Sequence, residues 1–320
     1  MNFYCKKRLT LFKNKCIIKP SKQNSGQKVR ERGNKMKKII SLVLALALMV
    51  GCAFTLISCG AEEVAKVIDI ALSEEEYAFA VSKENTELLA DANEFLEKIK
   101  DNGKFNEICN NYFGDGTPLK ITSAELDTSK DQLVVATATG FEPFEMVDEN
   151  GKYSGIDLEI AYYLAEELDK ELVILDMAFE AVVNAVQTGI CDIGMAGLSV
   201  TPDRSLVVTF TDSYYNASQV LIVRIDDTTF DACTTAEEVE AILNNLTSST
   251  KIGCQKGTTG ELYIDGDDSE GGYGFPGLKA TKMSYDYVAL AVTAMINGNI
   301  DYVIVDNGPA KAVTATVNGN

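Results

Sequence analysis

Histidine is absent from all 320 residues of the chain. Without it, no Ser-His or Cys-His nucleophile pair and none of the usual zinc ligand sets can form. The cysteines show no Cys-x-x-Cys spacing, so they predict no metal site either. We therefore expect neither a metal nor another cofactor. Four cysteines lie in periodic apolar segments and are expected to be free, buried thiols: Cys109, Cys191, Cys233 and Cys254.

Positive charge is scarce once the beginning of the chain is set aside. The whole chain carries −18, and its first 38 residues contribute a net +12, so the remainder carries about −30. Only two arginines, Arg204 and Arg224, follow residue 38. Such an acidic body lacks the basic patch that nucleic acids require, which excludes a nucleic-acid partner. It suits a soluble domain held beside a membrane.

The beginning of the chain has the layout of an export signal. Residues 1–35 are basic and aperiodic, and we interpret them as an extension before the true start. Residues 36–58 combine two lysines, an apolar run and small residues, as signal peptides do. The sequence "LISC" resembles a bacterial lipobox and predicts lipidation of Cys59, with Cys52 as a weaker candidate. An uncleaved membrane anchor over Ile39–Ile57 is the alternative. We expect an exported protein that is lipid-anchored on the extracytoplasmic face of the cell membrane.

The part that follows falls into two blocks. The first predicts strands over 66–72 and 76–82 and helices over 86–103 and 105–112. A polar, turn-rich stretch over 114–132 reads as a linker. The second block alternates strand and helix from Leu133 to the end of the chain, and this alternation predicts α/β lobes with largely parallel sheets. The strands are expected at 133–137, 172–175, 191–197, 219–224, 251–254 and 301–306, with helices near 156–168, 182–186, 236–246, 285–297 and from Pro309.

The second block carries a resemblance. The stretches "ATATGFEPFEMVDENGKYSGIDLEIAYYLAEEL", "AGLSVTPDRSLVVTFTDSYYNASQVLIV", "IGCQKGTTGELY" and "INGNIDYVIVDNGPA" resemble the bacterial polar-amino-acid substrate-binding proteins of ABC importers. The resemblance implies a two-lobed type II periplasmic-binding-protein fold with a ligand cleft between the lobes. It also implies a monomer that captures an amino acid and delivers it to an ABC permease.

The order of the segments departs from that family. The family's closing segment resembles residues 62–114, which end in "FNEICNNYFG" and here come first. We interpret this as a circular permutation, with 114–132 joining the family's old termini. Residues 59–70 would then be a linker with a first strand, 71–216 one lobe and 217–320 the other. A truncated tandem of two binding domains is the alternative.

The resemblance also implies the site. An amino-acid carboxylate needs a bidentate cationic donor, which Arg204 in "TPDR" supplies. Gly197 and Ser199 would add donors from a strand end, Thr258 would serve from the second lobe, and Asp306 would hold the ammonium. The complete expected ligand set is Phe141, Phe179, Ala196, Gly197, Ser199, Arg204, Gln255, Thr258, Thr259 and Asp306.

Specificity is less clearly encoded. Phe141 and Phe179 match the aromatic positions that enclose the ligand side chain, and Gln255 suits a polar one. Members that favour cationic ligands often carry an acid where this chain has Ala138, so a neutral polar ligand is favoured. Glu142 and Glu180 flank the two aromatics and could still reach a cationic side chain.

Two alternative functions remain open from sequence. Because a fold does not settle function, an enzyme on the same scaffold is possible, similar to cyclohexadienyl dehydratases, with Glu142 or Glu180 as general acid. A ligand-sensing module is the other. We expect a binding protein without catalysis.

Overall fold

The computed structural model describes residues 62–319. Residues Ala61–Asn320 form one compact unit. The expected extension, the signal peptide and Cys59 lie outside the described residues. Within 62–319, no helix has both the length and the apolar character that a bilayer crossing requires.

The described chain alternates strands and helices. The strands are β1 (Ala65–Ile68), β2 (Glu75–Tyr77), β3 (Ala80–Ser82), β4 (Gln132–Thr137), β5 (Met146–Val147), β6 (Tyr153–Ser154), β7 (Glu171–Asp176), β8 (Ile193–Gly194), β9 (Val208–Phe210), β10 (Tyr215–Ala217), β11 (Gln219–Arg224), β12 (Lys251–Gln255), β13 (Thr281–Tyr285) and β14 (Tyr302–Asp306). The helices are α1 (Thr86–Asp101), α2 (Lys104–Phe113), α3 (Ile156–Glu167), α4 (Phe179–Gln187), α5 (Pro202–Ser205), α6 (Ala236–Leu243), α7 (Thr259–Asp265), α8 (Val288–Ile296) and α9 (Asn307–Val317).

Two five-stranded sheets define two lobes. The first lobe has the order β7-β4-β8-β3-β9, and the second has β1-β11-β14-β12-β13. Pairs β4–β7 and β4–β8 are parallel, as are β12–β13 and β12–β14, whereas β3, β11 and β1 pair antiparallel with their neighbours. The fold is thus a two-lobed α/β architecture. The exact lobe boundaries at 71–216 and 217–320 stay a prediction.

The chain passes between the sheets twice, and the two passages pair with each other. Strands β2 and β10 form a separate antiparallel ribbon in which Tyr77 lies opposite Tyr215 and Glu75 lies opposite Ala217. Strand β2 follows the second lobe's β1 and precedes the first lobe's β3, while β10 leads from β9 to β11. We call this paired segment the hinge ribbon, because both connections between the lobes run through it.

The first block of the sequence is built into the first lobe. Strand β3 lies between β8 and β9, so it is an interior strand of that sheet. Helix α1 begins as expected at Asn85, whose side chain accepts a hydrogen bond from the Leu88 amide. The apolar face of α1 is buried in the same core as the first sheet, through Leu88, Ala92, Phe95, Leu96 and Ile99.

Some predicted elements differ from the observed ones. The single strand expected over 76–82 is divided into β2 and β3, because Phe79 turns from the hinge ribbon to the sheet. The Phe79 amide donates to the Thr211 side chain instead of a strand partner, at 3.0 Å. The strand expected over 191–197 is only β8: the Met195 amide still donates to the Ala136 carbonyl, but beyond it Ser199 pairs with Tyr77 of the hinge ribbon and not with the sheet. All four cysteines of the described chain are free, as expected. Cys191 and Cys254 are buried, but Cys109 and Cys233 are only partly buried, so the expected burial is wrong for these two.

Candidate functional site

The expected site residues lie where the two lobes face each other. Phe141 follows β4 and Phe179 opens α4 after β7, so both come from carboxyl ends of parallel strands, where ligands of α/β sheets bind. Both rings are largely buried, at 4% and 8% exposure. Gly197 lies beneath Phe141 with φ of +55°, and a Cβ there would stand 3.0 Å from the Phe141 ring. Only glycine therefore fits this position without displacing the aromatic ring.

Arg204 bridges the two lobes. Thr201 caps the short helix α5 by accepting from the Arg204 amide, which fixes the direction of the arginine side chain. The guanidinium donates to the Ser199 carbonyl at 2.7 Å in the first lobe and to the Gly257 carbonyl at 3.0 Å in the second. It also lies over the Phe179 ring, 5.2 Å from its centroid. Burial lowers the pKa of Arg204 from its usual value, but no carboxylate in the described chain forms an ion pair with it.

Ser199 and Thr259 come together from opposite lobes on one carboxylate. Their hydroxyl oxygens are 3.5 Å apart, and each donates to Oε2 of Glu75, at 2.7 Å and 2.6 Å respectively. Glu75 is 3% exposed and belongs to the hinge ribbon. Its other oxygen accepts from Ser73 at 2.7 Å and from Gln219 at 3.0 Å.

Asp306 is held at the carboxyl end of β14 by a tyrosine of the hinge ribbon. The Tyr77 hydroxyl donates to Asp306 Oδ1 at 2.7 Å. Burial, and after it the nearby Glu75 carboxylate, raises the pKa of Asp306 to about 7. Asp306 occupies the N-cap position of α9, yet its side chain makes no capping bond. Hydrogen bonds from the Tyr77 and Gln219 side chains to the Asp306 carboxylate act in the opposite direction and lower its pKa.

The remaining expected residues take different places. Thr258 donates to the Gln255 carbonyl at 2.7 Å, which closes the turn before α7. Gln255 is buried, and its Oε1 has no partner in the described residues. Ala196 is fully buried in a cluster that includes Phe179, so only its backbone can face a ligand.

Of the two acids beside Phe141 and Phe179, one already forms an ion pair. Glu180 forms a 2.7 Å ion pair with Lys256 across the gap between the lobes, and this bond lowers the pKa of Glu180. Glu142 is exposed. The Tyr273 hydroxyl donates to the Val200 carbonyl at 2.9 Å and adds another contact between lobes. The described structure therefore has its lobes closed on each other.

Two further buried carboxylates, Asp157 and Glu145, lie behind the Phe141 loop. Asp157 accepts from the Gly197 amide at 2.9 Å and from the Tyr214 hydroxyl at 2.5 Å. Burial raises the pKa of Asp157 to about 7, with these two hydrogen bonds acting in the opposite direction. Glu145 is also fully buried, and both of its carboxylate oxygens lack a partner in the described chain. Burial, and after it the Asp157 charge, raises the pKa of Glu145 well above its usual value.

A pH dependence of stability follows from Asp157. Its pKa is higher in the folded protein, so the folded state binds the proton more tightly than the unfolded state between pH 4 and pH 7. Its contribution to stability is present below the unfolded pKa and is lost as the pH rises through about 7. We expect Asp157→Asn to flatten the fall in unfolding midpoint between pH 5 and pH 8 by about 2–4 °C. Calorimetry beside Glu149→Gln, an exposed acid, checks this; equal slopes in both variants would contradict it.

The family model for bacterial extracellular solute-binding proteins, family 3, matches residues 133–306. The chain belongs to this family. Its matched region begins in β4 and ends at Asp306, so it contains all ten expected site residues.

This solute-binding protein has several curated relatives. It is 26% identical over 179 residues to the putative ABC transporter arginine-binding protein 2 of Escherichia coli K12, covering 56% of this chain and 65% of the relative. It is 30% identical over 100 residues to the arginine-binding extracellular protein ArtP of Bacillus subtilis 168, covering 31% of this chain and 39% of that one. The chain thus spans slightly under two thirds of the E. coli relative.

Among solved structures, this solute-binding protein is similar to holo ArgBP from T. maritima, at 29% identity and a TM-score of 0.47, with 58% of this chain and 74% of that chain covered. It is also similar to an ancestral amino-acid-binding protein described as a precursor of cyclohexadienyl dehydratase, at 28% identity and a TM-score of 0.49, with 58% and 75% covered.

Three buried polar residues of this solute-binding protein, Glu75, Tyr77 and Glu145, escape sequence reasoning. Glu75 and Tyr77 precede the matched region, and their only signal is that both face the buried side of a strand whose intervening residue, Glu76, is exposed. Glu145 carries no signal, since a glutamate between apolar residues in a loop usually faces solvent.

Proposed function

We propose that this protein captures a small amino acid between its lobes outside the cytoplasm and presents it to the permease of an ABC importer. One observation carries the proposal: Arg204, half-buried over Phe179, reaches both lobes and is paired with no carboxylate in the described chain. A ligand carboxylate would meet a charged, bidentate donor there, and binding it would hold the two lobes together.

The other end of the same ligand has a partner as well. Asp306 lies on the second lobe with one oxygen bound by Tyr77, and its carboxylate would meet an ammonium group. Phe141 over Gly197 and Phe179 under Arg204 would keep water from the ligand side chain. The pairing of an arginine with an aspartate across a dry cleft suits an α-amino acid better than a simple acid or a simple amine.

Only a few groups of the protein could select the side chain of the bound amino acid. Relatives are named for arginine, histidine and octopine. In this chain, Ala138 supplies no charge and Glu180 is neutralised by Lys256, whereas Gln255 directs an unpartnered amide oxygen from a buried position. These features favour a neutral polar side chain with a donor for Gln255.

Thermal unfolding with each of the twenty amino acids, ornithine and citrulline tests the proposal. A ligand at a thousand times its Kd adds about 4 kcal/mol to the free energy of unfolding. That raises the midpoint by on the order of 10 °C. Mass spectrometry of the ligand after incubation should recover it unchanged. A cooperative protein that no amino acid stabilises would overturn the proposal, and a converted ligand would favour an enzyme.

The lipid anchor is a further part of the proposal. We expect Cys59→Ser to release the protein from the membrane fraction to the medium, because the thiol that accepts the diacylglycerol is lost. Cys52→Ser removes the weaker candidate and should leave the protein on the membrane. Fractionation with an antibody checks both variants. Release by Cys52→Ser but not by Cys59→Ser would assign the anchor to Cys52.

We also propose that the protein is a monomer, which sedimentation should find.

We also propose that the order of segments is a circular permutation. The family model begins at residue 133, after the segment that supplies β3, α1 and α2. That segment provides an interior strand of the same sheet rather than a separate sheet, which supports one rearranged domain over two truncated copies.

A further inference from the structure

Glu75 has an unusual set of partners for a buried carboxylate. Four donors reach it: Ser199 and Thr259 on one oxygen, Ser73 and Gln219 on the other. No lysine or arginine of the described chain forms an ion pair with it. The charge of Glu75 is therefore stabilised by these neutral donors alone.

The donors belong to different parts of the fold. Ser199 follows β8 in the first lobe, and Thr259 opens α7 in the second. Gln219 begins β11, directly after the hinge ribbon that carries Glu75. One carboxylate oxygen is thus shared by hydroxyls from opposite lobes at the point about which the lobes would rotate.

Opening of the cleft would break this arrangement. Separation of the lobes moves Ser199 away from Thr259, and the carboxylate oxygen between them can keep only one of its two hydroxyl donors. Hydrogen bonds to a buried charge are among the stronger ones in proteins, and an unsatisfied buried charge is costly. The closed arrangement is the one in which Glu75 is fully satisfied.

We propose that Glu75 is a positioning residue that holds Ser199 and Thr259 together across the cleft and so favours the closed form. Ser199 and Thr259 belong to the expected ligand set, so the effect on ligand affinity rests on the proposed function. The effect on lobe closure does not, because it requires no ligand. The opposite role, in which Glu75 occupies hydroxyls that a ligand needs, predicts changes of opposite sign.

The test uses Glu75→Gln with Glu76→Gln as the matched control. The amide keeps the shape of Glu75 but turns one acceptor into a donor facing Gln219 and removes the charge. Glu76 is the exposed neighbour on the same strand, and its side chain makes none of these bonds. Small-angle X-ray scattering without ligand should give a larger radius of gyration for Glu75→Gln than for the wild type, and no change for Glu76→Gln. Equal radii for wild type and Glu75→Gln would overturn the proposal.

Binding kinetics supply the second readout. With the amino acid identified by the stabilisation screen, Glu75→Gln should weaken Kd by about 10–100-fold. The loss should appear in the dissociation rate with the association rate nearly unchanged, which general loosening of the fold would not produce. Tighter binding by Glu75→Gln would support competition with the ligand and overturn the proposal.

A double-mutant cycle tests whether Glu75 acts through its hydrogen bond with Thr259 or by an indirect effect on the fold. Thr259→Val removes one of the two hydroxyls on Oε2, and its effect on the radius of gyration should be much smaller in the Glu75→Gln background than in the wild type. Additive effects would mean that the two residues do not act together, and would overturn the proposal. If no amino acid binds the wild type, the proposed function fails while the scattering measurements still decide the role of Glu75.

Discussion

Arg204→Lys is expected to weaken amino-acid binding by about 100–1,000-fold, which amounts to two charge-assisted hydrogen bonds. Arginine presents a planar fork that can bind both oxygens of a carboxylate, and it stacks on Phe179; lysine keeps the charge but can do neither. The unfolding midpoint without ligand should fall by only a few degrees, because the partners of Arg204 within the chain are two carbonyl groups. Titration calorimetry with the ligand found by the stabilisation screen measures the loss.

The chain offers an unusually well-matched control for this experiment. Arg224 is the only other arginine after residue 38. It lies in β11 of the second lobe, and its guanidinium makes long contacts, of 3.5 Å, to the Met295 and Ile300 carbonyls and a 3.8 Å ion pair with Asp226. Arg224→Lys should bind like the wild type. Normal ligand binding by Arg204→Lys would contradict the carboxylate-binding role of Arg204, whatever the control shows.

Deletion of residues 62–113 is expected to abolish cooperative unfolding. The deleted segment includes β3, an interior strand that contacts both β8 and β9. Phe79, Ala80 and Val81 on and beside this strand are 1%, 0% and 0% exposed, and five further apolar side chains of α1 are buried. Loss of this strand would divide the sheet and expose core side chains, each worth about 1.5–3 kcal/mol when buried.

Moving the same segment to the end of the chain should restore folding. The two ends of the described chain already meet: the Asn318 side chain accepts from the amides of Val64 and Ala65, at 2.8 and 3.2 Å, and donates to the Ala65 carbonyl at 2.9 Å. A short linker can therefore join Gly319 to Glu62, with the new start inside 114–132. Circular dichroism melts of both proteins check the pair of predictions. A deleted chain that still melts cooperatively would favour the tandem alternative, and a reordered chain that fails to fold would contradict the permutation.

Sequence patterns predicted the elements best where a local signal was complete. The helix predicted over 86–103 had an Asn cap, an apolar face at helical spacing and a glycine at its end, and it was confirmed as α1, which ends two residues earlier at Asp101. The parallel strands over 133–137 and 172–175 were confirmed as well, because continuous apolar runs flanked by helices admit few other structures. The break between β2 and β3 was not predictable, since it depends on contacts with Leu198 and Thr211, more than a hundred residues away.

For the site as well, the positions of residues were predictable from sequence, but their contacts were not. The resemblance located the residues after β4, β8 and β12, and the structure brings Phe141, Phe179, Ser199, Arg204 and Thr259 to one gap between the lobes. It did not reveal the bonds that these residues make with one another. Tyr77 was predicted only as part of a strand, and Glu75 lay between two predicted strands, although these residues hold Ser199, Thr259 and Asp306. Such partners follow from the relative placement of two lobes, which no local pattern encodes.

The position of β3 also constrains the order in which the protein can mature. Its sheet partners, β8 and β9, are synthesised more than a hundred residues later: β3 has no neighbour until residue 194 is available, and its second side stays unpaired until residue 210. Helices α1 and α2 can form early and pack on each other, but both also pack against α3, which is synthesised later. Contacts between segments so distant in sequence slow folding, because a long loop must close before they form. A chain arranged in this way remains incompletely folded through most of its synthesis. An incompletely folded polypeptide can still pass through a narrow channel.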